Sequence, residues 1–222
     1  MKKTILAIVL AIFVMGAYTP SFAQASKEAK KEMKDAKKEV KSNASRAARK
    51  EARKLKKQGW LVVPGALALD KQLDRSWMMQ YEYDEKGAPK YFMGEAMSIG
   101  ENYDAAKSQA MELAKQNLAG QIQTEITALI ENTVSNKQLA QEQAVSITQT
   151  VAASKNLISQ KIGMLQPVTE CYRVKDNKNK EVLVRFAYNK DAAYEAAKQV
   201  IRDELEKKGE DLHKQLDQVL GF

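Results

Sequence analysis

The chain is poor in the residue types on which most compact catalytic and metal sites are built. It carries one histidine and one cysteine in 222 residues. That excludes a His/Cys zinc site and an intramolecular disulfide framework. Any Ser-His or Cys-His nucleophile system would depend on those single copies. The ten glycines are scattered singly, so no glycine-rich phosphate loop is present. There is no run of alternating acids around a central glycine that would form a calcium loop. Beyond the first 18 residues no stretch is long and apolar enough to span a bilayer. No cofactor is expected.

What is present is enough apolar residue, 44%, for one folded domain with appendages or at most two small domains. The chain opens on Met1-Lys2-Lys3, an apolar stretch from Ile5 to Tyr18, Pro20, and the small-residue site Ser21-Phe22-Ala23. A basic start, a short apolar run and small residues before a cut describe a secretory signal peptide. Cleavage is expected between Ala23 and Gln24. The run is shorter than a membrane span, and no cysteine follows it to carry a lipid. The expected address is across the inner membrane, in the periplasm or at the outer membrane. Nucleic acid is not an expected partner there.

Charge is segregated. Residues 24–58 hold fourteen Lys/Arg and five Asp/Glu, net +9, while residues 59–222 carry net −3. The arm consists of helix formers with Ala29, Met33, Ala36, Val40, Ala44, Ala47 and Leu55 in a narrow stripe. It predicts a basic helix that contributes little buried area and lacks an aromatic face for lipid insertion. Two roles remain open. It is a solvated spacer, or it contacts envelope polyanions through Lys30, Lys31, Lys34, Lys37, Lys38, Arg46, Arg49, Lys50, Arg53 and Lys54. Peripheral membrane association belongs to the second role.

Across 59–222 the pattern predicts an α+β domain: an antiparallel sheet from two β-hairpins packed against long helices. Residues 66–75 suit a short helix. Residues 76–99, with turn chemistry at Asp84-Glu85-Lys86-Gly87, read as the first hairpin, with Gly94 and Gly100 as bulge and strand end. Asn102 caps a long helix whose inward residues are Ala106, Ala110, Leu113, Leu118, Ile122, Ile126, Leu129 and Thr133. A polar helix follows to about Gln160. The second hairpin spans Ile162 to Tyr188 around Asp176-Asn177-Lys178-Asn179, with Val182, Val184, Phe186 and Tyr188 on one face. Asn189 caps a final helix with Ala193, Ala197, Ile201 and Leu205 spaced by four.

With these elements placed, Tyr91-Phe92-Met93-Gly94-Glu95-Ala96 leads into the alanine-stepped helix Ala106-x3-Ala110-x3-Ala114-x3-Leu118-Ala119-x2-Ile122. A hairpin from Val174 to Val184 and a closing helix follow. This order resembles the lipoprotein-20 family of bacterial envelope proteins and the related N-terminal domain of flagellar assembly protein T, over roughly residues 76–205. The resemblance implies an α+β domain acting in the cell envelope, beside the outer membrane or a surface organelle. It implies no enzyme and carries over no catalytic residue. The chain departs from the family in lacking a lipidation cysteine.

The function expected is therefore non-enzymatic binding or assembly in the envelope, with envelope proteins or anionic polymers as partners. An alternative is a glycan-acting enzyme using acids at Glu82, Asp84, Glu85, Glu95, Glu101 and Asp104, which would need two carboxylates facing across a cleft. A homo-oligomer paired through residues 103–160 is a third. Cys171 is either a small buried hydrophobe or a reactive or intermolecular thiol. His213 falls one step off the last apolar stripe and reads as a rim residue. The tyrosines at 81, 83, 91 and 172 with Trp60 and Trp77 form either a sugar-stacking face or ordinary core pairs.

Overall fold

A computed structural model describes residues 43–135, 141–207 and Leu216. The expected signal peptide and cut at Ala23–Gln24, the arm through Ser42 with Lys30, Lys31, Lys34, Lys37 and Lys38, and His213 lie outside the described residues. From Asn43 on the chain packs as one unit. Its elements are α1 (Arg46–Lys57), α2 (Leu69–Gln80), β1 (Tyr91–Gly100), α3 (Tyr103–Ser135), α4 (Gln141–Ala153), α5 (Lys155–Ile162), β2 (Thr169–Val174), β3 (Lys180–Asn189) and α6 (Lys190–Lys207).

The class is α+β, as the pattern predicts, but the sheet is not two hairpins. It has three antiparallel strands in the order β1-β3-β2. β2 and β3 form the hairpin read from the sequence, and β1 pairs alone along the other side of β3, from Tyr91 opposite Asn189 to Gly100 opposite Lys180. The expected partner of β1, residues 76–83, is instead the end of α2 and the turn after it. The buried positions Leu69, Gln72, Leu73 and Ser76 step at three and four, so the helical face runs straight through Trp77-Met78-Met79. The turn chemistry at 84–87 is correct. Asp84 Oδ1 accepts the N–H groups of Lys86 and Ala88 at 2.8 Å each. The only ladder there is a single bridge between Tyr83 and Pro89.

The long helix forms as expected. Asn102 Oδ1 accepts the Ala105 N–H at 2.9 Å, an N-cap. Its buried face is Ala106, Ala110, Ala114, Leu118, Ala119, Ile122, Ile126, Ile130 and Thr133. Leu113 is exposed and Ile130 takes the place expected of Leu129. This face lies on Phe92, Val182, Val184 and Phe186, the even side of β1 and β3. α4 and α5 follow α3 and pack against it, broken at Ser154, whose hydroxyl donates to Thr150 O at 2.7 Å. Asn189 caps α6 through Ala192 N at 3.0 Å, and Ala193, Ala197, Ile201 and Leu205 are buried. The second strand starts later than the pattern suggests, because Ile162 closes α5 and Met164 is fully exposed.

Gly94 marks close approach rather than a bulge, since the β1–β3 register runs through it without a break, and Gly100 ends β1 as the pattern predicts while also standing close to α3. A Cβ at Gly94 would lie 2.5 Å from Ala114 O and 2.5 Å from Leu118 Cγ, and one at Gly100 would lie 2.8 Å from the Ala106 N. Gly120, on the same helix, has only the Lys155 side chain nearby, at 3.5 Å. Gly94→Ala is therefore expected to lower the unfolding free energy by about 2 kcal/mol or more, since backbone must shift. Gly120→Ala is expected to raise it by roughly 0.5–1 kcal/mol through helix propensity. Urea denaturation of the two variants measures both, and equal effects would refute this account of the glycines.

Candidate functional site

The odd side of the sheet holds a second, smaller core. Cys171, with Leu183 beside it, is covered by Ala44, Ala48, Ala52, Trp60, Leu69 and Leu73. The last part of the basic arm is therefore a docked helix and not wholly a solvated one. Ser45 Oγ caps it by accepting the Ala48 N–H at 3.2 Å, and the Ser45 N–H reaches Asp74 on α2 at 3.1 Å. The alanine stripe suffices because Cβ-only contacts let α1 settle closely on α2.

That docking sorts the charges. With Ala48 and Ala52 inward, Arg46, Arg49, Lys50, Arg53 and Lys54 all stand exposed on α1, with Lys56 and Lys57 after them. Glu51 is the one acid on this helix and pairs with Lys54 at 3.4 Å. Among the described residues no carboxylate pairs with Arg46, Arg49, Lys50 or Arg53. These five of the ten cations singled out from the sequence are thus brought onto one face, at the first-to-third turns of a fixed helix.

The acids considered for glycan chemistry are not gathered into a cleft pair. Glu82 pairs with Lys90 at 2.8 Å, and Asp84 is spent on its turn. Glu95 on β1 is held by Arg185 of β3, whose Nε lies 2.6 Å from Glu95 Oε2 and whose Nη1 also reaches Ser76 Oγ at 3.1 Å. Glu85, Glu101 and Asp104 are exposed. Glu170 and Glu181 are held by Tyr103 with Lys107 and by Arg173 with Lys175. No group of three or more His, Cys, Asp or Glu among the described residues is placed to hold a metal ion. No described helix is long and apolar enough to cross a membrane.

The aromatics divide in the same way. Trp60 is buried under the Arg173 guanidinium, 4.8 Å from its ring, and Tyr172 meets Tyr103 edge-on at 5.4 Å. Tyr81 and Tyr83 are exposed at the turn.

A feature that the sequence reading did not single out is an open groove of about 1150 Å³ along the outer edge of β1. One wall is Tyr91, Met93 and Glu95, and the other is the amide-rich side of α3, with Gln116, Asn117, Gln121 and Thr124. Gln121 Nε2 donates to Met93 O and Asn117 Nδ2 to Glu95 O, both at 2.8 Å. Glu125, also lining it, accepts from Lys190 at 2.5 Å and from the Tyr194 hydroxyl at 2.6 Å. The spacing of Asn117, Gln121 and Thr124 on one side of α3 was the available signal. A polar helix side ordinarily signifies solvent, so nothing in it pointed to a strand edge.

Cys171 takes the buried alternative. It is 1% exposed, and burial first, then the nearby Glu95 and Glu170 charges, push its thiol up to about 12. Tyr103 and Tyr194 are also raised, by burial first and then by their bonds to Glu170 and Glu125. All three groups hold their protons more tightly folded than unfolded. Their stabilisation is whole below about pH 9 and is lost as pH rises toward the folded-state values. Stability measured by urea titration is expected to fall steadily from pH 9 upward, with tyrosinate absorbance rising in step with unfolding. Cys171 is expected to react with a thiol reagent at pH 8 only slowly in the native chain and fully in denaturant. Ala48→Lys, which cannot keep α1 seated, is expected to speed that reaction at least about tenfold while α3 and the sheet persist; an unchanged rate would contradict the docking of α1.

No family profile, curated protein or solved structure matches the chain.

Proposed function

We propose that the chain is an exported, non-enzymatic binding or assembly protein of the bacterial envelope, of the lipoprotein-20-like kind, that attaches to an anionic polymer surface through its basic helix. The observation that carries this is the outward face of α1. Seven Lys/Arg and one Glu lie within Asn43–Gln58, on a helix held in place by its alanines rather than by its charges. Fixing the helix removes the ordering cost that a flexible basic tail would incur on binding. Exposed cations without carboxylate partners retain their full attraction for phosphate or carboxylate arrays.

The state of the acids supports this reading over a hydrolase. Glu82 and Glu95 are engaged by Lys90 and Arg185, whereas an acid–base pair needs one carboxyl free to hold a proton and one free to act. Export rests on the sequence features of residues 1–23, and mass spectrometry of the protein recovered from the envelope fraction is expected to find Gln24 at the N-terminus. An intact residue 1–23 segment would overturn that part.

The shared ligand chemistry is a dense anionic surface, and two probes separate its sources: vesicles containing phosphatidylglycerol, and a soluble acidic polysaccharide. Each cation near such a surface contributes about 1 kcal/mol at modest ionic strength. Binding to at least one probe is expected to weaken steeply between about 0.05 and 0.3 M salt, because the Debye length contracts through the range of these contacts. The triple variant Arg46→Glu/Arg49→Glu/Arg53→Glu leaves the buried alanines untouched and is expected to lose at least about tenfold in affinity. Binding by that variant equal to the wild type, or salt-independent binding, would refute the attachment role of α1.

A further inference from the structure

The two outer edges of the sheet are closed by different means. Along β2 both peptide groups of Tyr172 meet protein backbone and the Glu170 N–H meets a buried amide. Leu61 N–H donates to Tyr172 O at 2.7 Å and Leu61 O accepts the Tyr172 N–H at 2.9 Å. Gln72 Oε1 accepts the Glu170 N–H at 2.7 Å. Along β1 no backbone arrives. Two side-chain amides, Gln121 and Asn117, reach from α3 to the carbonyls of Met93 and Glu95. At the next two outward positions, Met97 and Ile99, the peptide groups have no partner among the described residues. The side chains of Met97 and Ile99 are 52% and 50% exposed.

Natural sheets guard such an edge with lysine, proline, a bulge or a covering segment. β1 reads Tyr-Phe-Met-Gly-Glu-Ala-Met-Ser-Ile-Gly and its register is unbroken, so none of the first three is present. The groove of about 1150 Å³ lies alongside its first half. Only another strand offers N–H and C=O groups at the two-residue period that this edge requires.

We infer that the β1 edge is a peptide-docking site that accepts an extended acidic segment of a partner protein as a fourth strand. The residue pattern follows from the two faces. Partner side chains on the odd face meet Met97 and Ile99 and are apolar. Those on the other face enter the groove against Gln116, Asn117, Gly120 and Thr124 and are small or polar. The charge follows from the ions of the groove. Glu125 is taken by Lys190 and Glu95 by Arg185, and Lys155 is the lining cation without a carboxylate partner among the described residues. A partner carboxylate complements it. The Gln121 and Asn117 amides hold the place of the strand in its absence. Exchanging their hydrogen bonds for backbone ones is close to neutral, so affinity comes from the peptide groups of Met97 and Ile99 and the apolar pairs beside them. This site is separate from the α1 surface and does not depend on the envelope reading.

The test uses the chain from Gln24 and a panel of peptides of about ten residues that alternate Val and Thr, with one Glu moved through successive positions. Amide NMR and hydrogen exchange follow the Gly94–Gly100 stretch. At least one peptide is expected to shift these amides and to slow exchange at Met97 and Ile99 by about tenfold or more, as strand addition requires. N-methylation of alternate peptide nitrogens is expected to abolish the effect. Lys155→Glu is expected to weaken binding about fivefold, the scale of one exposed charge pair. Met97→Pro removes an edge N–H and is expected to abolish binding; Ile99→Lys, an exposed substitution, keeps the test valid if the proline variant misfolds and is expected to weaken binding. The inference is overturned if no peptide in the panel moves these amides, or if the N-methylated peptide binds as well. It is also overturned if Met97 and Ile99 become protected with rising protein concentration alone, which would make the occupant a second copy of the chain.

Discussion

The close contact between α3 and β1 is the constraint on which the remaining architecture depends. At Gly94 the strand has room for no side chain at all, because the Ala114 carbonyl and Leu118 occupy the space. At Gly100 the same holds against Ala106. Over its first turns the buried residues of α3 are Ala106, Ala110 and Ala114, and from Leu118, which still meets the sheet at Gly94, they become mostly larger: Leu118, Ile122, Ile126 and Ile130. The helix face is thus tapered, small over its first turns and larger toward α4 and α5. Such a taper makes the position of α3 a matter of steric fit and not of apolar area alone, since interiors at close-packed density do not absorb a displaced methyl cheaply.

One consequence concerns the far side of the sheet. Three strands cannot protect both of their faces, and α3 with α6 and its neighbours covers only the even one. The odd face bears Cys171 and Leu183, whose cover is made from α1 and α2. A helix as basic as α1 would be a poor choice for a cover if its contact residues had to be large, because long apolar and long cationic side chains compete for the same circumference. Alanine resolves the conflict. Ala44, Ala48 and Ala52 consume a narrow arc, and the rest of the surface is left to arginine and lysine. The hydrogen bond from the Ser45 N–H to Asp74 adds a fixed point at the end where the helix begins.

The parts of this fold that were legible in the sequence are those whose buried residues are also the apolar ones. β3 places Val182, Val184 and Phe186 on one buried face, α6 steps through Ala193, Ala197, Ile201 and Leu205, and both asparagine caps stand where the chain changes direction. The second half of α2 was misread for the complementary reason, although its first half lies within the helix expected over 66–75. Two of its four buried residues are Gln72 and Ser76, which serve as hydrogen-bond partners to β2 and Arg185, so its helical period is invisible to hydrophobicity. The residues that do stand out, Trp77, Met78 and Met79, are half-buried or exposed. Propensity was outvoted by tertiary partners 98 and 109 positions away. The docking of α1 was equally hidden, since an alanine stripe predicts little burial until its partners Trp60 and Cys171 are known. For the candidate sites, the cations of α1 were visible as charge but not as a single fixed face. The groove was not visible at all, because Asn117 and Gln121 acquire meaning only once β1 is known to be an edge.

The order β1-β3-β2 places these two surfaces at opposite margins of the sheet. α1 belongs with the β2 side through Cys171 and Trp60, and the amide-lined groove belongs with β1. β3 lies between them, paired with β1 along its length and with β2 from Lys180 to Arg185. Its Arg185 ties Glu95 of β1 to Ser76 of α2, so a single cation of the central strand joins the strand of one margin to the helix layer of the other. This separation has a physical use. A surface of unpaired cations repels other cations and attracts any polyanion indiscriminately, whereas an unpaired strand edge discriminates by backbone register and alternating side chains. Were both on one margin, an anionic polymer drawn to α1 would also compete for Lys155 and crowd the edge. At opposite margins, the attachment proposed for α1 and the strand docking proposed for β1 can be occupied together without competing.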